Sequence, residues 1–191
     1  MAGKLQGKKV AILATDGFEQ SELLEPKKAL EQEGAKVDVI APHDGRIQGM
    51  KHHDKGDTVA VDRTLDAARP DEYDALMLPG GVANPDELRW QPKAVDFVRS
   101  FWTDNKPIAA ICHGPWTLIE AGAVKGRKMT SWPSLKSDLT NAGANWIDQP
   151  VVTDKGLVTS RKPDDLPQFC AKMIEEIVEG RHERRQLGAA E

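Results

Sequence analysis

Cysteine is scarce in this chain. Two in 191 residues cannot form the disulfide framework of a small secreted protein, so a reducing, cytoplasmic setting is expected. No apolar run approaches the ~20 residues that cross a bilayer, and no membrane partner is expected. The start, MAGKLQGKKVAILAT, has lysines but no h-region followed by a cleavage site, so a signal peptide is not expected. Basic excess is also missing: 26 Lys and Arg face 30 Asp and Glu, a net charge of −4. That argues against a nucleic-acid partner, which wants a positive field. There is no repeat, no low-complexity stretch and no linker. No phosphate loop of the G-x-x-x-x-G-K-[ST] type occurs, and no cofactor is expected. What remains is an ordinary globular mix, 39% hydrophobic and 29% charged, read as one domain over 1–191.

Two periodicities alternate along the chain. "KKVAILAT" (8–15), "AKVDVIAP" (35–42), "YDALMLPGG" (73–81) and "KPIAAIC" (106–112) are short apolar runs of buried-strand type. Between them lie helical patterns. "SELLEPKKALEQEG" (21–34) carries Leu23, Leu24, Ala29 and Leu30 and stops at Gly34. "NPDELRW" starts with Asn84 as N-cap and Pro85 at the first helical position. "KAVDFVRSFWTDN" (93–105) places Val95, Val98, Phe101 and Trp102 on one stripe, and "GPWTLIEAGAV" (114–124) is a further helix. Residues 43–66 hold strand-like pieces, "RIQGM" and "TVAVD". The last part adds "RKMTS", a helix near 134–142, a hairpin "PVVTDKGLVTS" and a helix at 164–179. Alternating strands and helices predict an α/β fold: a mostly parallel sheet with helices on both faces.

Ligands in such folds bind at the carboxyl ends of the strands. One of those ends reads "AAICHG", residues 109–114. Strand, cysteine, small residue and helix make the setting of a nucleophile elbow. A helix start favours the thiolate; lowering a thiol pKa from about 8.5 to about 6 makes it almost fully ionised at neutral pH. A buried structural cysteine is the bland alternative for Cys112. "TDGFEQSELLEP" places Glu19 at the entrance to the first helix, from which a protonated carboxyl could donate to the sulfur; the plain alternative is an acid favoured by the helix dipole. The backbone N–H groups of Gly81 and His113 are candidate oxyanion donors.

With these motifs in order, the chain resembles the PfpI-like intracellular protease family of the ThiJ/PfpI superfamily. The matching stretches include "VAILATDGFEQSEL", "KPIAAICHGPWTLIEAG", "GRKMTSWPSLKSDLTNAGANWID" and "SRKPDDLPQF". The resemblance implies a flavodoxin-like three-layer α/β/α sandwich. It also implies Cys112 as nucleophile, His113 as its neighbour and Glu19 as the acid. A third acid in such proteins comes from a neighbouring subunit; Asp86 matches here, where the archaeal pattern has glutamate. A homo-oligomer, a dimer or ring of dimers, is therefore implied. The implied activity is a cofactor-free, cysteine-dependent stress-response hydrolase acting on small carbonyls, glycated proteins or peptides, of the glyoxalase or deglycase kind. An intracellular cysteine peptidase, and a redox-sensing stress protein or chaperone with an oxidisable Cys112, are the alternatives.

Other residues carry plainer readings. Class I glutamine amidotransferases share the elbow but use a His-x-Glu that this chain lacks; His182 is followed directly by Glu183 in the tail "GRHERRQ", read as a solvated end. His52, His53 and Asp54 read as a solvated loop, and no metal is assigned. Cys170 falls on the stripe Leu166, Cys170, Met173, Ile174, Ile177 and reads as a core thiol. Trp132 and Pro133 either line the pocket or pack.

Overall fold

The computed structural model describes residues 3–182. The strands are β1 (Lys9–Leu13), β2 (Phe18–Glu19), β3 (Lys36–Ala41), β4 (Arg46–Lys51), β5 (Asp54–Ala60), β6 (Arg63–Thr64), β7 (Ala75–Leu78), β8 (Ile108–Ile111), β9 (Lys128–Met129), β10 (Asn145–Trp146), β11 (Val151–Asp154) and β12 (Leu157–Ser160). The helices are α1 (Gln20–Gln32), α2 (Ala83–Arg89), α3 (Pro92–Thr103), α4 (Pro115–Glu120), α5 (Lys136–Asn141) and α6 (Leu166–Glu179).

Seven strands form the central sheet in the order β11-β12-β8-β7-β1-β3-β6. Every pairing is parallel except β11 with β12, the hairpin at one edge. Alternation along each strand feeds two cores. From β1, Ala11 and Leu13 enter one core with Phe97, Phe101 and Trp102 of α3; Val10 and Ile12 enter the other with Leu23 and Leu30 of α1 and Phe169 and Met173 of α6. β8 divides in the same way: Ile108 and Ala110 to one face, Ala109 and Ile111 to the other. Strands buried on both faces have no polar side to show, which is why they read as continuous apolar runs. The fold is the expected flavodoxin-like α/β/α sandwich.

One local expectation gains a detail and another needs correction. The pieces at 43–66 are strands, but β4 and β5 lie outside the main sheet and form a small separate one with β2. Asn84 does not cap α2 from outside. It lies within the helix, fully buried, where its side chain accepts from Thr15 N–H (2.8 Å) and donates to the carbonyls of Pro79 and Gly80. It ties the loop after β1 to the loop after β7, the two loops that flank the site.

Candidate active site

The carboxyl ends of β1, β7 and β8 converge on Cys112. Its φ of 61° is left-handed, a sparsely populated conformation for a residue with a Cβ. Backbone bonds on both sides hold it: Cys112 N–H to Ser160 O (3.0 Å) and Trp132 N–H to Cys112 O (2.9 Å). Cys112 is 7% exposed, so the bend sets the residue in a nearly closed site.

The acid beside that sulfur is Glu22. Its side chain is fully buried, its Oε2 accepts from Gly80 N–H at 2.9 Å, and its carboxyl contacts the Cys112 thiol. Gly80 makes the meeting possible: a Cβ there would strike Glu22 Oε2 and lie 2.6 Å from Cys112 Cβ. Glu19, the acid expected at this place, points elsewhere. It belongs to β2, which pairs with β4, and its Oε2 accepts from His52 N–H at the β4–β5 turn (3.0 Å). The physical reason is helix phase: α1 begins at Gln20, so Glu22 falls in its first turn on the buried face with Leu23, Pro26 and Leu30. The signal was present in the sequence. An acid at i of an i, i+4, i+8 buried row (22, 26, 30) is anomalous unless it serves a site.

Burial, with the neighbouring Glu19 charge, raises the Glu22 carboxyl from an ordinary 4.5 to about 8. The Cys112 thiol is pushed up as well, by burial first and by the Glu22 carboxylate second; N–H groups of Gly81 and His113 pull in the opposite direction. This runs against the expectation of a thiol lowered by the helix start and a carboxyl donor. Cys112 and Glu22 form a coupled pair, and one negative charge is all that the pocket accommodates near neutral pH. Cys170 is different: it packs on α6 away from the elbow, and burial raises it to about 12.

His113 Nδ1 is 3.2 Å from Cys112 Sγ. The ring stacks on Trp132 (centroids 6.1 Å apart) and meets Trp116 edge-on (5.1 Å), so Trp132 does flank the site. Burial lowers the imidazole pKa and keeps the ring neutral. Its Nε2 reaches only Ser134 Oγ, at 3.5 Å; among the described residues no carboxylate hydrogen-bonds it. Asp86 is not brought to this centre. It is exposed on α2, 3.9 Å from Arg89, and lines a separate cleft with Thr15, Asp16, His43, Glu87 and Gln91. His52 and His53 are exposed at a turn. Of the residues singled out in the sequence, the structure brings Cys112, His113 and the Gly81 loop together, and it sets Glu22 rather than Glu19 against the sulfur.

Fold and site together define an α/β sandwich with a cysteine at a strained strand-to-helix elbow and a buried carboxyl against the sulfur. The model of the DJ-1/PfpI family matches residues 8–176, and the chain belongs to that family. A protein of Thermococcus kodakarensis named a deglycase is 49% identical over 87% of this chain and 97% of its own length. The Escherichia coli protein named protein/nucleic acid deglycase 2 is 45% identical over 85% of this chain and 93% of its own length. A crystal structure of a two-domain protein from Anabaena variabilis, with DJ-1/ThiJ/PfpI-like and ferritin-like domains, superposes with a TM-score of 0.84 at 35% identity. That match covers 89% of this chain and 48% of the other, so this chain spans about half its length. Among the described residues no helix is long and apolar enough to cross a membrane.

Proposed function

We propose that the protein is a cysteine-dependent, cofactor-free deglycase acting on adducts of reactive carbonyls with amines, and on the free dicarbonyls themselves. The observation that carries the reading is the buried Glu22 carboxyl against Cys112, combined with a His113 that has no carboxylate partner among the described residues. The pair shares one negative charge: the Glu22 carboxylate takes the Cys112 thiol proton, the charge moves to sulfur, and Glu22 holds that proton for the leaving amine. The thiolate attacks the carbon of a carbinolamine; the C–N bond breaks, the amine leaves with a proton, and a hemithioacetal stands on Cys112. With a free dicarbonyl the thiolate adds to the aldehyde carbon instead, and the Gly81 and His113 N–H groups face the oxyanion that develops there before it is protonated to the same hemithioacetal. Glu22 then moves the proton from the hemithioacetal carbon to its neighbour, giving a thioester. Water cleaves the thioester, releasing a 2-hydroxy acid and restoring the thiol.

An amide asks for more, because its poor leaving group needs a histidine aligned by an acid. Losing that alignment in a serine-type triad costs on the order of 10⁴ in rate. The adduct chemistry needs one mobile proton, which Glu22 supplies. The names of the similar proteins support the same assignment, and the E. coli name extends the amine to nucleic acid. On this reading the adduct defines the substrate, not the polymer that bears it, and the net charge of −4 gives no field for duplex binding. Exposed Val82 and Trp90, flanking α2, form the face on which a second copy would dock and bring Asp86 to a subunit boundary. The test is turnover of methylglyoxal, a methylglyoxal-treated peptide and casein side by side. The first two should be consumed, lost in Cys112→Ala and strongly reduced in Glu22→Gln. Faster cleavage of casein than of either carbonyl substrate would make the enzyme a peptidase.

A further inference from the structure

At the opposite end of the sheet from Cys112, the chain leaves α6 through Gly180, whose φ of 82° turns it back on itself. His182 N–H then donates to Asn105 O (3.2 Å), which pins the segment beside the start of β8. The fold-back lays the imidazole against the last turns of α6. His182 Nε2 lies 2.9 Å from Glu176 Oε2 and 3.8 Å from Glu179 Oε2. One ligand atom from each of the three residues lies within 4.8 Å of the others. We propose that Glu176, Glu179 and His182 form a zinc-type divalent-cation site that clips the segment after α6 onto the body of the protein.

Three observations carry this. First, Glu176 is 7% exposed, and both Glu176 Oε2 and His182 Nε2 are sealed from solvent with no hydrogen bond among the described residues. They lie within hydrogen-bonding distance of one another but lack the alignment. Atoms arranged to meet at a third point look like this; a relaxed ion pair does not. Second, the spacing suits the metal. Zinc bonds of about 2.0–2.2 Å to nitrogen and oxygen put tetrahedral ligands about 3.3 Å apart, and the two separations from Nε2 straddle that figure. Third, the charge balances. Two carboxylates against one imidazolium leave a net negative charge beside the buried Glu176; a divalent cation with two carboxylates and a neutral imidazole leaves none. A backbone N–H from Gly156 also reaches the Glu176 carboxyl and orients it, as supporting groups do for metal ligands. The E-x-x-E-x-x-H spacing follows from the helix and its left-handed exit. Three protein ligands leave a fourth position for water. Its remoteness from Cys112 makes the site structural.

The test uses the full-length protein after chelator treatment. Zinc chloride titrated calorimetrically should bind at one equivalent per chain, and zinc at about 100 times its Kd should raise Tm by about 5 °C or more. Glu179→Gln at the surface and His182→Ala at a half-buried position after α6 should each weaken binding by about tenfold or more. Glu176→Gln should do the same, and the other two variants carry the test if it does not fold. Cobalt(II) in place of zinc should give tetrahedral d–d bands without a thiolate charge-transfer band, and methylglyoxal turnover of His182→Ala should equal wild type. Absence of binding at tens of micromolar zinc, equal affinity in His182→Ala, or a thiolate band that places the metal on a cysteine would each overturn the proposal.

Discussion

Replacing Glu22 by Gln should make the protein more stable at alkaline pH, although it removes a group at the centre of the site. Glu22 is raised from an ordinary 4.5 to about 8 by burial and by Glu19. The folded state therefore holds a proton that the unfolded chain releases near 4.5. Stability is greatest below that value, falls as pH rises through the window from 4.5 to about 8, and levels off above it. The limiting slope is 1.36 kcal/mol per pH unit, so the whole window is worth at most about 5 kcal/mol. Relaxation and water entry around the ionised carboxyl would reduce this to roughly 2–3 kcal/mol. Gln keeps the shape, can accept from Gly80 N–H through its oxygen, and can turn its amide toward the sulfur. The assay is urea unfolding of wild type and Glu22→Gln at matched protein concentration and at several pH values between 5 and 8.5. Differencing the two proteins removes the other groups that titrate in the window, among them His113, whose pKa burial lowers, and Glu176, whose pKa burial raises. The difference should grow with pH in favour of the variant. Parallel curves would refute the reasoning, because a carboxyl that ionises freely in the folded state cannot be the proton donor assigned to it.

Further outcomes follow from the same geometry. In a Cys170→Ser background, Glu22→Gln should speed alkylation of Cys112 at pH 8, roughly tenfold for each unit by which loss of the carboxylate lowers the thiol pKa; a slower reaction would show that the carboxyl activates the thiol more than its charge suppresses it. Gly80→Ala should lower stability by about 1–3 kcal/mol and abolish turnover, since the new methyl group falls on Cys112 Cβ and the Glu22 carboxyl; thermal melting and a methylglyoxal assay would check both. Asp86→Asn should leave carbonyl turnover within about threefold of wild type, because no described contact links it to Cys112 or His113; a collapse in kcat would establish a trans-acting acid. Sedimentation of wild type and Trp90→Ala at micromolar concentration tests the docking face on α2, and a monomer in both would remove it.

Much of this protein is written in local pattern. Apolar runs of 4–6 residues alternating with 3.6-periodic stretches specify strands and helices, and their alternation specifies a parallel sheet, because each element must bury its own apolar face. The α3 stripe of Val95, Val98, Phe101 and Trp102 is buried as its spacing requires. The elbow at Cys112 is equally local, since a cysteine between a buried strand and Gly114 can turn in few ways. Which carboxyl meets the sulfur is not local. It depends on where α1 starts relative to β2, and β2 is defined only by pairing with β4, about thirty residues further on. That pairing draws Glu19 toward His52 and leaves Glu22 facing the elbow. Asn84 shows the same dependence: it reads as a cap from its neighbours, yet its partners are Thr15, Pro79 and Gly80 from two other loops. His182 reads as the start of a solvated tail; the tail from Glu183 lies outside the described residues, but His182 itself returns to α6. Elements follow from short-range periodicity. The identity of a buried polar partner is decided by contacts between segments distant in sequence, where one residue's shift in helix phase or pairing exchanges one carboxylate for another.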